Sequence, residues 1–248
     1  GTIESSLGLT SEELSRDWKK AMRKRYWPQF ADKKEPQAYG RRLTDHVKGH
    51  QYLNVKPVFS PDGERLVYFS DRKGLDAIYL MNALTGKVEK RLLSGQMSSR
   101  FESIRSMNSS LSFSPDGSRI ALVAKSKGFD RLFVVSVPKG KVLEERAMPF
   151  DFFHSPAWSP DGASIALVGV SRGRTDLYRY DLAADSLYRL TDDDADETNP
   201  AWFPGGDRIA YARTRSPVAQ PAFERDSTGV DRLPIADFRR SGGVPRVE

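Results

Sequence analysis

The chain has 248 residues, 38 % of them hydrophobic, no cysteine, and a formal net charge of +6 from 39 Lys and Arg against 33 Asp and Glu. That is enough apolar material for one all-β domain or two smaller units, and the lack of any eighteen-residue apolar run excludes a membrane-spanning helix. The absence of cysteine excludes disulfides, thiolate chemistry and cysteine zinc sites, and with no charged-then-apolar leader at the start, any signal peptide is expected outside this sequence.

Thr10-Ser11-Glu12-Glu13 fits a capping box and predicts the start of a helix. Leu14, Trp18, Ala21, Met22, Tyr26 and Phe30 follow at spacings of three and four and form one apolar stripe, which Pro28 ends near Trp27. Large aromatics cost about 1.5 to 3 kcal/mol each when left in water, so the stripe is expected to dock on the rest of the chain or on an upstream domain. Lys19, Lys20, Arg23, Lys24 and Arg25 crowd the same segment, followed by Lys33, Lys34, Arg41 and Arg42. We read them as the solvated face of the helix. With no nucleic-acid-binding motif beside them, neither a nucleic-acid partner nor membrane insertion is expected.

A polar linker around Asp32 to Gln37 leads into strands, which divides the chain into a helical part, 1–37, and a β part, 38–248. Arg41 to His46 reads as an outermost strand ahead of the first repeat. His46 and His50 are four apart, a spacing that suits zinc on a helix. Val47 occupies the place of the general-base glutamate and Gly49 argues against a helix, so a loop carrying two histidines is expected.

One phrase then recurs at intervals of about 45 to 55 residues, the range of propeller blades. It begins FSPDGERLVYFSDRKGLDAIYL at Phe59, FSPDGSRIALVAKSKGFDRLFVV at Phe113, WSPDGASIALVGVSRGRTDLYRYDL at Trp158 and, decayed, WFPGGDRIAYARTRS at Trp202. Ser, Pro and Gly at the first, second and fourth places of SPDG suit a type I turn, the glycine taking positive φ to join two strands. The apolar alternation around it supplies three strands, and Lys90-Arg91-Leu92-Leu93, echoed by Tyr188-Arg189-Leu190-Thr191, supplies the fourth.

Ser60 to Gly63, Ser114 to Gly117 and Ser159 to Gly162, each followed by an apolar strand, a Gly-x-Asp-type loop and another strand, resemble TolB-type (SPDG, WD-like) β-propeller repeats over about residues 41 to 248. The resemblance implies an all-β propeller of four-stranded blades, four of which are visible out of the usual six, preceded by one amphipathic helix. The last copy stops at Val244 to Glu248, where its outer strand is expected, so the chain reads as cut short, with unpaired blade edges open to self-association. GLTSEELSRDWKKAMRKRYWP, about residues 7 to 28, resembles the last helix of the gluzincin-type metallopeptidase domains that precede TolB-like propellers in some bacterial exported proteins. That implies a catalytic half upstream and a periplasmic or secreted location.

Four features compete for a chemical role. Gly169-Val170-Ser171-Arg172-Gly173 fits the Gly-x-Ser-x-Gly nucleophile elbow, but the next segment alternates as a strand where the elbow needs a helix, so Ser171 reads as a hairpin serine. Asp192 to Glu197 is the densest acidic run; it lacks the calcium-loop spacing and reads as a solvated loop between blades. Asp76, Asp130, Asp176 and Asp231 recur before each third strand and read as a repeated structural hydrogen bond. Thr214 to Thr228 interrupts the fourth copy as a long insertion, suited equally to recognition and to a tolerated surface loop. No catalytic, cofactor-binding or metal-binding residue is assigned. The resulting expectation is a non-catalytic domain that recognises a protein or peptide through its channel mouth and interblade loops. The rivals are a substrate-filtering propeller of a prolyl-oligopeptidase-like serine peptidase and a structural spacer.

Overall fold

The computed structural model describes residues 6, 8–28, 33–34, 38–46, 52–72, 74–95, 100–104, 106–107 and 109–214, and the backbone of 215 and 230–234. It divides into two compact units, Gly1–Leu43 and Thr44–Glu248.

In the first unit the capping box forms as the sequence indicates. The Thr10 amide donates to Glu13 Oε2 at 2.9 Å and the Glu13 amide donates to Thr10 Oγ1 at 3.2 Å, opening helix α1, Ser11–Tyr26. Trp27 closes it by donating its amide to the Arg23 carbonyl at 2.8 Å. None of the α1 residues is buried, and Trp18, Tyr26 and Trp27 are all more than half exposed.

The second unit holds four antiparallel sheets that follow the four sequence copies. The first runs β1 (Asn54–Phe59), β2 (Arg65–Ser70), β3 (Ala77–Asn82), β4 (Val88–Ser94) in that order. In the second, β5 (Ser103–Ile104) and β6 (Ser112–Phe113) both lie along β7 (Arg119–Ser126), followed by β8 (Phe129–Ser136) and β9 (Val142–Ala147). The third is β10 (Phe152–Trp158), β11 (Ser164–Ser171), β12 (Arg174–Asp181), β13 (Ser186–Arg189), and the fourth is β14 (Ala195–Trp202), β15 (Arg208–Arg215), β16 (Val230–Pro234). The expected strand over Arg41 to His46 is absent: residues 41–45 carry no regular structure and no strand among the described residues pairs with them.

The second strands of the first three sheets read as near-unbroken apolar runs and are buried at successive positions, whereas β15 alternates buried Ile209 and Tyr211 with exposed Arg208 and Ala212. In β11, Ile165 and Leu167 pack with Ala121, Val123, Leu132 and Val134 of the second sheet, whereas Ala166 and Val168 pack with Ile209 and Tyr211 of the fourth. A third core joins Val67, Phe69, Ile78 and Leu80 of the first sheet to Ile120, Leu122 and Phe133 of the second. Each of these apolar cores therefore lies between consecutive sheets.

The SPDG phrase builds the first turn of the first three sheets by a side-chain relay. Ser114 Oγ donates to Asp116 Oδ1 at 2.5 Å and accepts the Arg119 amide at 3.0 Å, while the Gly117 amide donates to the Ser114 carbonyl at 2.9 Å. These bonds, with a second hydroxyl donor from Ser118, hold the Asp116 carboxyl down at about 2. The same serine-to-aspartate bond recurs at Ser60 and Ser159. Gly117 and Gly162 adopt φ of +69° and +73°, and a Cβ on Gly162 would lie 3.3 Å from Pro115 of the preceding turn, so successive turns also pack on one another. The fourth copy, with Phe203 and Gly205 in place of serine and aspartate, keeps only the backbone bonds.

Candidate recognition surface

The first strand of each sheet lies at its inner edge and carries an irregularity at one shared register. In β1 the pairing with β2 slips between Val55 and Val58, in β10 the pairing with β11 slips between His154 and Ala157, and in β14 the pairing with β15 slips between Thr198 and Ala201. Each bulge places one residue at positive φ, Lys56 at +52°, Ser155 at +54° and Asn199 at +52°, and each is followed by proline: Pro57, Pro156 and Pro200. Proline has no amide to donate, so it fits the one place where the ladder is already broken. In the second sheet the same place holds the whole interval from Ile104 to Ser112, which separates β5 from β6.

These irregularities bring the inner strands into mutual reach. Lys56 Nζ donates to the Met107 carbonyl, in the interval of the second sheet, at 2.9 Å. His154 is held below the usual histidine range by burial and then by the charge of Lys56, which belongs to the first sheet while His154 belongs to the third. His154 Nδ1 lies 2.9 Å from Ser155 Oγ, and the His154 ring stacks on Phe152. Asn54 adds a carboxamide whose two polar atoms are buried and meet no hydrogen-bond partner. Burial also lowers Lys56 from the ordinary lysine value. The inner edge thus brings together a lysine ammonium, an imidazole, a carboxamide and a hydroxyl, of which the Asn54 polar atoms and Ser155 are buried.

Ser171 closes β11 and pairs with Arg174 across a two-residue turn in which Arg172 and Gly173 both have positive φ, +52° and +76°. Such a turn joins two antiparallel strands, and a strand follows it. The glycines of the elbow pattern have separate causes. A Cβ on Gly169 would lie 2.5 Å from the Phe150 ring, and Gly173 supplies the turn.

The acidic run differs from a solvated loop. Asp192, Asp193 and Asp194 precede β14, Asp196 and Glu197 lie within it, and Glu197 is fully buried. Arg174 Nη2 lies 3.0 Å from Asp192, Arg189 Nη2 lies 2.8 Å from Asp192, and Arg213 pairs with Asp193. Among the described residues no three acids or histidines come together in a way that could hold a metal ion. The recurring aspartates do not share one bond. Asp76 accepts from Ser106 Oγ at 3.0 Å, across to the second sheet, whereas Asp176 takes Arg189 Nη2 at 2.6 Å within its own sheet. Asp231 lies in β16 opposite Tyr211. His46 is exposed; His50 and residues 216–229 of the insertion lie outside the described residues.

The sequence reading missed the bulge residues. Their signal was present in Lys56-Pro57, Ser155-Pro156 and Asn199-Pro200, each two residues before an aromatic that leads into the turn phrase.

With this geometry in view, the solved structures most useful for comparison are two TolB proteins. TolB from Acinetobacter baumannii superposes with a TM-score of 0.56 at 22 % identity, covering 67 % of this chain and 39 % of that one. A TolB-like protein from Agrobacterium tumefaciens gives a TM-score of 0.56 at 19 % identity, covering 74 % of this chain and 66 % of that one. The fold is a TolB-type β-propeller. Its sheets are blades, its inner strands line the axis, and the chain spans 39 % and 66 % of these two relatives. A prolyl endopeptidase structure matches at a TM-score of 0.46 and 12 % identity over 26 % of its chain, too loosely to bear on activity. No protein-family model and no curated protein matches the sequence.

Proposed function

We propose that residues 38–248 form a non-catalytic propeller domain that recognises a protein or peptide through its inner strands, with 1–37 as the helical tail of a neighbouring domain. The supporting observation is the repeated bulge that sets Lys56, Ser155 and Asn199 at one register, with Lys56 on the Met107 carbonyl and its charge felt at His154. Rigid strands with irregular polar positions at the axis suit extended ligands, since the frame loses little entropy on binding. The cation at Lys56 favours an acidic peptide or a free C-terminal carboxylate. No helix among the described residues is long and apolar enough to cross a membrane, and the TolB-like fold supports service as an accessory of a bacterial exported protein, in the periplasm or outside the cell.

The test is selection of a random peptide library on the immobilised chain, followed by titration of the enriched peptides. We expect acidic peptides with dissociation constants of about 1 μM to 1 mM, weakened at least about tenfold, near 1.4 kcal/mol, by Lys56→Glu. Enriched peptides that bind the Lys56→Glu variant as well as the parent would overturn the assignment of the surface. Failure to enrich any peptide would favour a structural spacer.

A further inference from the structure

The seam between the third and fourth blades holds more carboxylates than guanidinium groups can pair. Asp176 and Arg174 face it from β12, Arg189 from β13, Asp192, Asp193 and Asp194 from the connection, Glu197 from β14 and Arg213 from β15. Each arginine is engaged by an aspartate: Arg189 with Asp176 at 2.6 Å, Arg174 with Asp192 at 3.0 Å, and Arg213 with Asp193. Two carboxylates are left over, and of these Asp194 is open to solvent whereas Glu197 is not. Glu197 is fully buried, its nearest guanidinium atom is Arg213 Nε at 3.9 Å, and neither of its oxygens meets a hydrogen-bond partner. The apolar side of the seam, Ala166, Val168 and Leu177 against Ile209 and Tyr211, gives an ionised group there no solvent.

We propose that the joint between the third and fourth blades is proton-controlled: Glu197 lies in it uncharged while the blades are closed on each other, and its ionisation loosens the fourth blade. A neutral carboxyl is the form favoured in a buried site whose nearest guanidinium nitrogen, Arg213 Nε at 3.9 Å, stands beyond hydrogen-bond reach, whereas an ionised one adds a charge beside Asp176 and Asp193. Burial first, then the Asp193 and Asp176 charges, push the Glu197 carboxyl up to about 7, within the range of pH that an exported protein meets. The fourth blade is the one whose turn lacks the serine-to-aspartate relay, so less holds it against such a load.

Hydrogen exchange of the whole chain, followed by mass spectrometry at pH 5.5 and 8.5 and corrected for intrinsic exchange, tests this. Protection over 195–202 and 208–213 should fall at least about tenfold at the higher pH, while 65–70 and 77–82 stay unchanged. Glu197→Gln should hold the low-pH protection at both values. Equal protection at both pH values in the parent would overturn the proposal, as would an unchanged fall in Glu197→Gln. A carboxyl-carbon NMR titration of the parent needs no variant: a midpoint between about 6 and 8 is expected, and one near the ordinary glutamate value of 4.5 would refute the buried proton.

Discussion

Replacing Gly162 by valine probes the turn and the contact between successive blades together. Gly162 has φ +73°, where an L-residue costs about 1 to 2 kcal/mol and a β-branched one more. Its new Cβ would also lie 3.3 Å from Pro115 Cγ and 3.6 Å from Pro115 Cδ, so the valine methyls press on a ring that the second turn holds in place. Overpacking of that kind costs about 1 to 3 kcal/mol. The sum is about 2 to 5 kcal/mol, a fall of roughly 4 to 20 °C in melting temperature for a domain of this size. Gly63→Val separates the two effects, because Gly63 has the same φ of +73° with nothing within 4 Å of the added atom. It should lose only the strain, about 1 to 2 kcal/mol. Thermal and urea unfolding of both variants measures this. A melting temperature for Gly162→Val equal to the parent's would refute the turn, and equal losses in both variants would refute packing between turns.

Ser114→Ala should destabilise by about 1 to 3 kcal/mol, because the Arg119 amide loses its acceptor, and NMR should find the Asp116 carboxyl moved from about 2 toward the ordinary aspartate value of 3.8. Ser171→Ala should change stability by less than about 0.5 kcal/mol, and the chain should turn over no fluorogenic ester or peptide; turnover abolished by this substitution would restore the elbow. For Glu197 the folded carboxyl is raised to about 7 from 4.5, so its contribution to stability is fully present below 4.5, declines as pH rises, and is gone above 7. The stability of the parent minus that of Glu197→Gln should fall over that window by at most about 3 kcal/mol, and a rise would reverse the sign of the argument.

The blades were legible because each is specified locally. A period-two apolar run, a turn phrase with glycine at positive φ, and a short hairpin such as Arg172-Gly173 lie within a few dozen residues of one another. Features set by distant partners were hidden. Nothing in Asp192 to Glu197 reveals that Arg174, Arg189 and Arg213, on three other strands, come to pair with it, or that period two turns Glu197 inward. Gly169 likewise reads as part of a catalytic pattern until the Phe150 ring is seen against it. Arg41 to His46 has the residues of a strand, but a strand forms only where a neighbouring edge accepts its hydrogen bonds.

The claim that the inner strands form the contact surface is tested most directly by site-specific photocrosslinking. A benzophenone side chain is placed at Asn199, on the inner strand of the fourth blade, and in a second protein at Tyr188, on the outer strand of the third. With a peptide from the library selection, crosslinking is predicted at position 199 and not at 188, and competed by the unlabelled peptide. Crosslinking at 188 alone would place the ligand on the outer edge and contradict the account.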